Sequence, residues 1–244
     1  MMDYPVNLDV RGRSCLVVGG GGVGARKARG LVDCDAAVAV VSPEVASPLR
    51  ELADAGRLVW TPRGYRSDDM AGRFLAFAAA GDPEVNRRVV ADARRERVLC
   101  NAADRPEEGD FTLPAVLRRG ALSIAVSTGG ASPALARRVR MTLEATFGPE
   151  YERALEILGA ARTRLLARGH DPDDHRRRFR AVLDGGLVEM LREGRDAEAD
   201  RLLRDILESE AREKSDGAGA QPRPTVPGPD APARKENDGP ADGR

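Results

Sequence analysis

The sequence VVGGGGVGARKA at residues 17–28 is a glycine-rich run between an apolar segment and an amphipathic one. Gly19, Gly21 and Gly24 form the pattern G-x-G-x-x-G of a dinucleotide-binding turn. In such a turn the first glycine permits the tight bend, the second lets the backbone approach a pyrophosphate, and the third allows close helix–sheet contact. The following helix offers free N–H groups and a positive dipole end to the phosphates. The run predicts a dinucleotide site, against the alternative of a glycine-rich turn that binds nothing.

Around this turn, apolar runs alternate with amphipathic segments. Runs typical of strands covered on both faces lie at residues 14–19, 36–42, 57–62, 73–80 and 97–101. Helices are predicted between them at residues 22–32, 45–55 and 83–96, with a short turn near 67–71. This βαβαβ order predicts an α/β fold with a doubly wound parallel sheet of the Rossmann type.

The pattern changes after residue 110. Residues 111–127 are predicted to form two strands around a turn at Arg119-Gly120, antiparallel because no helix fits between them. Ser132 is a plausible N-cap, and the helix after it is expected to run to about Phe147. Leucines at helical spacing among many charges predict a solvated helical bundle further on. We predict a dinucleotide-binding domain, a dimerisation hairpin with its helix, a helical domain and a disordered tail at residues 1–110, 111–148, 149–214 and 215–244.

Composition excludes several classes of protein. The 39 Lys and Arg residues balance 39 Asp and Glu residues, and only 4% of residues are aromatic, which argues against a nucleic-acid partner. No apolar run approaches the length of a membrane span, and the N-terminus lacks the apolar core of a signal peptide. Three widely spaced cysteines predict neither disulfides nor a zinc site. We expect a cytoplasmic protein with no membrane partner.

The end of the second predicted strand bears on the choice of dinucleotide. An acidic residue commonly holds the ribose hydroxyls at this position. Here Ser42 offers a hydroxyl, and Glu44 offers a carboxylate just after Pro43. No Arg or Lys at this tip would receive a 2′-phosphate, so NAD is favoured over NADP. On the first helix, Arg26 and Lys27 either face an anionic ligand or are ordinary exposed charges.

Two segments are candidates for chemistry at the substrate. Asp104 follows the fifth strand, at the edge where open α/β sheets bind ligands, and its carboxylate can accept a proton. A loop-capping role is the alternative for Asp104. The STGG segment at residues 127–130 offers hydroxyls and backbone N–H groups suited to an anion, or forms a simple capped turn. His170 and His175 lie outside the α/β body, and no Tyr-x-x-x-Lys dyad is present.

Several segments, in order, resemble the precorrin-2 dehydrogenase family, which includes the N-terminal part of sirohaem synthases. The matching segments are VVGGGGVGARKA (17–28), VVSPE (40–44), DPEVNRRV (82–89), CNAAD (100–104), FTLPA (111–115) and AVSTGGASPALARRVR (125–140). The resemblance implies NAD-dependent oxidation of precorrin-2 to sirohydrochlorin. Some members also insert ferrous iron, and the resemblance leaves open whether this chain does. It also implies a homodimer formed through the hairpin.

The resemblance also assigns roles to residues. Asp104 matches the family's essential aspartate, with at most transient contact to iron and no stable metal site. The NAD contacts map onto Gly21, Gly22, Val23, Ser42, Pro43 and Glu44, in addition to Gly19 and Gly24 of the turn pattern. Precorrin-2 is a polycarboxylate, and some of the arginines near the site in sequence are expected to bind it, with ordinary surface charges as the alternative: Arg105, Arg118, Arg119, Arg137, Arg138 and Arg140. The candidate substrate residues are Asn101, Thr128, Gly129 and Arg137.

One departure from the family stands next to the fourth strand. Family members commonly read A-T-D there, whereas this chain reads Ala79-Ala80-Gly81-Asp82, so a hydroxyl and a carboxylate are missing or displaced. The alternative function is a non-catalytic NAD-sensing Rossmann module. Such a module needs the glycine turn but has no use for the CNAAD and STGG segments.

Overall fold

The computed structural model describes residues 3–168 and 171–208 of the chain. These residues belong to two compact units, the first reaching Glu152 and the second starting at Arg153. Across the described residues, no helix combines the length and apolar character needed to cross a membrane.

The first unit contains a parallel sheet. Its strands are β1 (Ser14–Val18), β2 (Ala37–Val41), β3 (Val59–Thr61), β4 (Leu75–Ala78) and β5 (Leu99–Ala102). In the described chain they lie in the order β3-β2-β1-β4-β5, and every neighbouring pair is parallel. The connections contain α1 (Gly22–Val32), α2 (Ser47–Asp54), α3 (Pro83–Glu96) and two 3-10 turns (Ser67–Met70 and Pro106–Glu108). This arrangement confirms the predicted Rossmann-type sheet, and each strand overlaps the apolar run that predicted it.

Side chains of β1 pack on both faces of the sheet. Cys15 and Val17 join the core formed with α1 and α2, whereas Leu16 and Val18 join the core formed with α3. All four are at most 2% exposed. Burial on both faces explains why the strands are continuous apolar runs rather than alternating ones. The packing fixes the carboxyl end of β1, where the glycine turn begins.

The cysteines of the first unit are free thiols. Cys15 and Cys100 are fully buried. Burial raises the pKa of the Cys15 thiol and raises that of Cys100 to about 11, so both stay protonated at neutral pH. Cys34 is half-buried, and its Sγ accepts a hydrogen bond from Arg118 Nη2 at 3.3 Å.

An antiparallel hairpin and a long helix complete the first unit. The hairpin consists of β6 (Ala115–Arg119) and β7 (Leu122–Val126), and the helix is α4 (Pro133–Thr146). Ser132 caps α4, because its Oγ accepts a hydrogen bond from Leu135 N at 3.2 Å. Arg119 Nε donates to the Phe147 carbonyl at 2.9 Å, which ties the hairpin to the end of α4. The predicted antiparallel pair and N-cap are both confirmed.

The second unit is helical. It contains most of α5 (Glu150–Arg168), followed by α6 (Pro172–Asp184), α7 (Leu187–Arg192) and α8 (Asp196–Glu208). Its core includes Ala154, Val182, Leu187, Leu191, Ala199 and Leu203. A buried ion pair joins Arg178 Nε to Asp174 Oδ2 at 2.6 Å within α6. His175 also lies on α6, whereas His170 and the predicted tail at residues 215–244 lie outside the described residues.

Candidate functional site

Packing requires glycine at three positions of the turn after β1: Gly19, Gly24 and also Gly20, where a Cβ would collide with the Glu44 carbonyl oxygen. Gly19 has a φ of +118°, and a Cβ there would collide with the Ala79 carbonyl oxygen. A Cβ at Gly24 would collide with the Gly19 carbonyl oxygen, so a larger residue would push α1 off the turn. These contacts match the predicted roles of the first and third glycines, in the bend and in the helix–sheet contact.

The same turn is open at Gly21 and Gly22, where α1 begins. A Cβ at Gly21 would meet no atom within 4 Å, and one at Gly22 would meet only Arg26 Nη1 at 3.8 Å. Gly21 is the N-cap of α1 and provides no side-chain cap, and the first turn of α1 has no acidic residue. Val23 is exposed at this end. The positive end of the helix dipole therefore faces open space, which suits a phosphate.

The tip of β2 lies beside the turn. Pro43 and Glu44 are exposed and Ser42 is half-buried, and Trp60 Nε1 donates to the Ser42 carbonyl at 3.0 Å. The guanidinium of Arg50 lies over the Trp60 ring, 4.8 Å from its centroid. This arginine is thus held against an aromatic ring, and Ser42 and Glu44 remain the polar side chains offered at the strand tip.

The loop after β4 holds its shape through Asn86, which is 3% exposed. The Asn86 Oδ1 accepts from Ala80 N at 2.9 Å, and its Nδ2 donates to Ala80 O at 3.0 Å. Asp82 Oδ1 accepts from Glu84 N at 2.8 Å and so caps α3. The carboxylate displaced from the family pattern therefore serves a helix terminus. The sequence analysis did not single out Asn86, although it lies four residues after Asp82, the N-cap of α3.

Asn101 near the end of β5 is engaged by the chain's own groups. Its Oδ1 accepts from Lys27 Nζ at 2.6 Å, and its Nδ2 donates to the Phe111 carbonyl at 2.8 Å. Asn101 is only 4% exposed. This predicted substrate residue thus links α1, β5 and the segment before the hairpin, and its amide is occupied on both sides.

Lys27 is the partner that sequence reasoning left undecided. Its ammonium lies 5.4 Å from the centroid of the Phe77 ring as well as beside Asn101. Burial lowers the pKa of Lys27, and the neighbouring Arg26 lowers it further. No carboxylate among residues 3–168 and 171–208 forms an ion pair with it. Lys27 is therefore not an ordinary exposed charge.

Asp104 is exposed in the loop between β5 and the 3-10 turn that follows. Its neighbour Arg105 pairs with Glu108 at 2.8 Å. Asp110 closes the loop instead, because its Oδ2 accepts from Cys100 N at 2.9 Å. Across the described chain, no hydrogen bond to the Asp104 carboxylate is formed. The loop-capping role considered for Asp104 thus belongs to Asp110, a residue that the sequence did not single out.

The segment after β7 forms a hydrogen-bonded turn. The Gly129 N–H donates to Ser127 Oγ at 3.2 Å, and Ser132 N donates to Thr128 Oγ1 at 3.1 Å. Gly129 and Gly130 both have positive φ. The Thr128 hydroxyl keeps its own proton, so it can still donate to a ligand. The observed bonds are those of the capped turn and leave this donor available.

The arginines clustered in sequence have different surroundings. Arg119 and Arg140 contact the C-terminal part of α4, Arg140 through an ion pair with Glu144. Arg137 and Arg138 are exposed and line an open depression of about 420 Å³ with Pro133, Ala134 and Met141. Among the clustered arginines, these two line the open depression.

In the described residues, no group of three or more His, Cys, Asp or Glu side chains is arranged to hold a metal ion.

The parallel sheet, the uncapped glycine turn and the level carboxyl ends of the strands define a Rossmann-type dinucleotide-binding protein. A family model described as "Putative NAD(P)-binding" matches residues 6–115. A second model, described as "Sirohaem biosynthesis protein central", matches residues 119–146. These matches and the relatives below confirm the resemblance to the precorrin-2 dehydrogenases and to the N-terminal parts of sirohaem synthases.

Two curated relatives and one solved structure are named as siroheme synthases or as a precorrin-2 dehydrogenase. The chain is 39% identical over 196 residues to the siroheme synthase of Chromobacterium violaceum, covering 80% of this chain and 42% of that protein. It is 40% identical over 211 residues to the siroheme synthase of Pseudomonas entomophila, covering 85% and 45%. The solved structure of SirC, a precorrin-2 dehydrogenase, matches with a TM-score of 0.70 and 28% identity, covering 84% of this chain and 98% of that one. The chain thus spans less than half of these curated relatives but nearly all of SirC.

Proposed function

We propose that the protein oxidises precorrin-2 to sirohydrochlorin with NAD as the hydride acceptor. The observation that carries this proposal is the meeting of an anion-ready helix end and an exposed carboxylate at one edge of the sheet. Val18 pairs with Ala78, and Ala78 pairs with Ala102, so the ends of β1, β4 and β5 are level. The names of SirC and of the siroheme synthases support the same reaction.

The residues divide the work of a dehydrogenation. The reaction removes a hydride and a proton from the substrate, and bound NAD supplies the acceptor for the hydride. Gly21, Gly22 and Val23 present backbone N–H groups and the α1 dipole to the pyrophosphate. Asp104 accepts the proton, since its exposed carboxylate is not held by a hydrogen bond from the described residues. The chain's main contribution is to position the two reactants.

NAD rather than NADP fits the tip of β2. Ser42 and Glu44 offer a hydroxyl and a carboxylate to the ribose hydroxyls. A 2′-phosphate would meet the negative charge of Glu44, and Arg50 is engaged by Trp60 rather than extended toward the tip. Gly19 and Gly24 shape this site, because a Cβ at either position would collide with a backbone carbonyl oxygen.

Groups that could bind the substrate's carboxylates lie after the hairpin, in the turn that follows β7 and on α4. Arg137 lines the open depression on α4, and the Thr128 and Gly129 turn precedes that helix. A guanidinium can bind a carboxylate through two hydrogen bonds. Asn101 supports the site from within the fold rather than by direct contact, because its amide is already bonded on both sides.

A homodimer is part of this proposal. The segment before the hairpin and α4 expose large apolar side chains: Leu113, Leu135, Val139 and Met141, between 38% and 54% exposed. A second copy of the chain would cover such a surface, which is unusual on a monomer. The domain limits predicted at residues 110, 148 and 214 and the cytoplasmic location remain predictions.

Ferrous iron insertion receives no support from the described side chains, since none form a cluster that could hold a metal. It remains an implication of the resemblance. An assay that starts from sirohydrochlorin and ferrous iron without NAD tests it directly.

The test of the proposed function is anaerobic incubation with precorrin-2 and NAD, followed by NADH absorbance and the sirohydrochlorin spectrum. We expect both products from the wild type. Asp104→Asn should lower turnover by roughly a hundredfold or more while NAD affinity stays unchanged. Glu107→Gln is the matched control, because it removes a charge from the adjacent exposed residues without touching the proposed base. Tight NAD binding without turnover would favour the non-catalytic NAD-sensing module instead.

A further inference from the structure

The ammonium group of Lys27 is a half-buried positive charge within the α/β body. Lys27 is the sixth residue of α1, and its ammonium lies beside Asn101 and over Phe77. These two residues are direct partners in adjacent strands, Phe77 in β4 and Asn101 in β5. Each lies one residue before the carboxyl end of its strand. The ammonium is therefore next to the edge of the sheet from which the Asp104 loop departs.

The surroundings of Lys27 do not neutralise its charge. The Asn101 carbonyl oxygen and the Phe77 ring are neutral, and its sequence neighbour Arg26 is another cation. Among the described residues, no acidic side chain pairs with Lys27. A half-buried charge without a counter-ion lowers stability, and an apolar chain of similar length would pack on Phe77 without that cost.

The Lys27 ammonium also has N–H donors that Asn101 does not use. It has three N–H groups, and Asn101 Oδ1 accepts one of them. Asn101 is itself fixed by Phe111 on its other side, so the acceptor that orients Lys27 cannot rotate freely. The lysine is held in place and retains the capacity to bind an oxyanion.

The position of Lys27 distinguishes between the two anions it could bind, the dinucleotide pyrophosphate and a substrate carboxylate. The pyrophosphate of the dinucleotide is served by the uncapped N-terminus of α1, at Gly21 to Val23. Lys27 lies further along the helix and reaches away from that turn, across β4 to β5. Asp104, the proposed base, follows Asn101 by only three residues.

We propose that Lys27 binds a carboxylate of the tetrapyrrole, with Asn101 and Phe77 fixing its position. The inference rests on the proposed function, because it takes its ligand from that reaction. It assigns a cation inside the α/β body to the substrate, in addition to the arginines on α4. The incoming carboxylate completes the charge balance that the free protein lacks.

Two substitutions separate the charge of Lys27 from its hydrogen bond to Asn101. Lys27→Gln removes the charge but keeps an N–H donor for the Asn101 oxygen, whereas Lys27→Met removes both. Binding of sirohydrochlorin under anaerobic conditions is measured by absorbance titration, and NAD binding by a separate titration. We expect both variants to weaken sirohydrochlorin binding and raise the KM for precorrin-2 by about tenfold or more, with NAD affinity unchanged. Lys27→Arg should recover part of the loss.

The control is Arg29→Gln, which removes one positive charge from an exposed position on the same helix. It should leave sirohydrochlorin binding unchanged. Wild-type binding and KM in Lys27→Gln would overturn the inference and leave a tether to Asn101 as the role of Lys27. A tenfold loss of NAD affinity in Lys27→Gln would also overturn it, because the anion would then be the dinucleotide. A wild type that turns over no precorrin-2 contradicts the proposed function itself, which is a different result.

Discussion

Asp110 and Cys100 are joined by two hydrogen bonds. Asp110 Oδ2 accepts from Cys100 N at 2.9 Å, and Asp110 N donates to Cys100 O at 2.8 Å. These bonds close the loop that carries Asp104, so the backbone that bears the exposed Asp104 carboxylate is held in place.

Removing that closure should impair catalysis without changing NAD binding. Asp110→Ala leaves the buried Cys100 N–H without its acceptor, which costs about 1–3 kcal/mol. We expect a lower melting temperature and a lower kcat, measured by thermal unfolding and by the anaerobic assay. Asp110→Asn keeps an acceptor at the same position and should retain most of both. Equal losses in the two variants would contradict the hydrogen-bonding role.

The glycine turn predicts opposite effects at two glycines. Gly24→Ala should destabilise the protein by about 1–3 kcal/mol, because the new Cβ would collide with the Gly19 carbonyl oxygen. Gly21→Ala should leave the melting temperature nearly unchanged, since its Cβ would meet no atom within 4 Å. It should instead weaken NAD binding, because the methyl group would occupy the space offered to the pyrophosphate. Thermal unfolding and NAD titration on both variants check this contrast.

Dinucleotide preference should shift with the charge at the tip of β2. Glu44→Arg replaces a carboxylate by a guanidinium that can bind a 2′-phosphate, so we expect kcat/KM for NADP relative to NAD to rise about tenfold or more. Glu51→Arg makes the same change at an exposed position on α2 and should not alter the preference. A similar shift in both variants would mean that general charge, rather than the tip, sets it.

Stability should fall in acid through Asp69. The Arg63 guanidinium donates to both Asp69 oxygens, at 2.6 and 2.8 Å, and with the Arg66 backbone N–H it lowers the pKa of that carboxyl below its usual 3.8. A lowered folded-state pKa adds stability above the unfolded value, and this stability is lost as the pH falls through the folded value.

Asp69→Asn should therefore reduce the free energy of unfolding by about 1 kcal/mol at pH 7 and show a smaller loss below about pH 4. Denaturant unfolding across this range measures the difference. Asp68→Asn is the control, since Asp68 is the exposed neighbour. A difference between wild type and Asp69→Asn that stays constant down to pH 2 would contradict the argument.

The proposed dimer should depend on α4. Met141→Glu places a charge in the exposed apolar surface and should produce monomers in sedimentation velocity at micromolar concentration. Leu183→Glu makes a comparable change on an exposed leucine of α6 and should leave the association state unaltered. A wild type that sediments as a monomer would contradict the proposal directly.

The sheet could be predicted from sequence because its information is local. Each strand is a short apolar run, and Asp82 and Ser132 mark the starts of α3 and α4 as side-chain caps. The turn at Gly19 and Gly24 was likewise predicted, since the steric need for glycine follows from the strand–turn–helix order.

The site was harder to predict because its contacts join distant parts of the chain. Lys27 and Asn101 are 74 residues apart, and no spacing rule connects a lysine on the first helix to an asparagine on the fifth strand. The arginine cluster shows the reverse problem. Arg119 and Arg137 lie near each other in sequence, yet one bonds to the Phe147 carbonyl and the other lines an open depression.

The double hydrogen bond between Asn86 and Ala80 bears on the thermodynamics of binding. It fixes the loop after β4, and the bond from Ala46 N to the Gly20 carbonyl at 2.8 Å fixes the loop after β2 against the glycine turn. Both borders of the dinucleotide site are thus held by hydrogen bonds within the chain itself, so we expect little conformational entropy to be lost on association. Calorimetry should accordingly find that NAD binds without the large unfavourable entropy that accompanies the ordering of a loop.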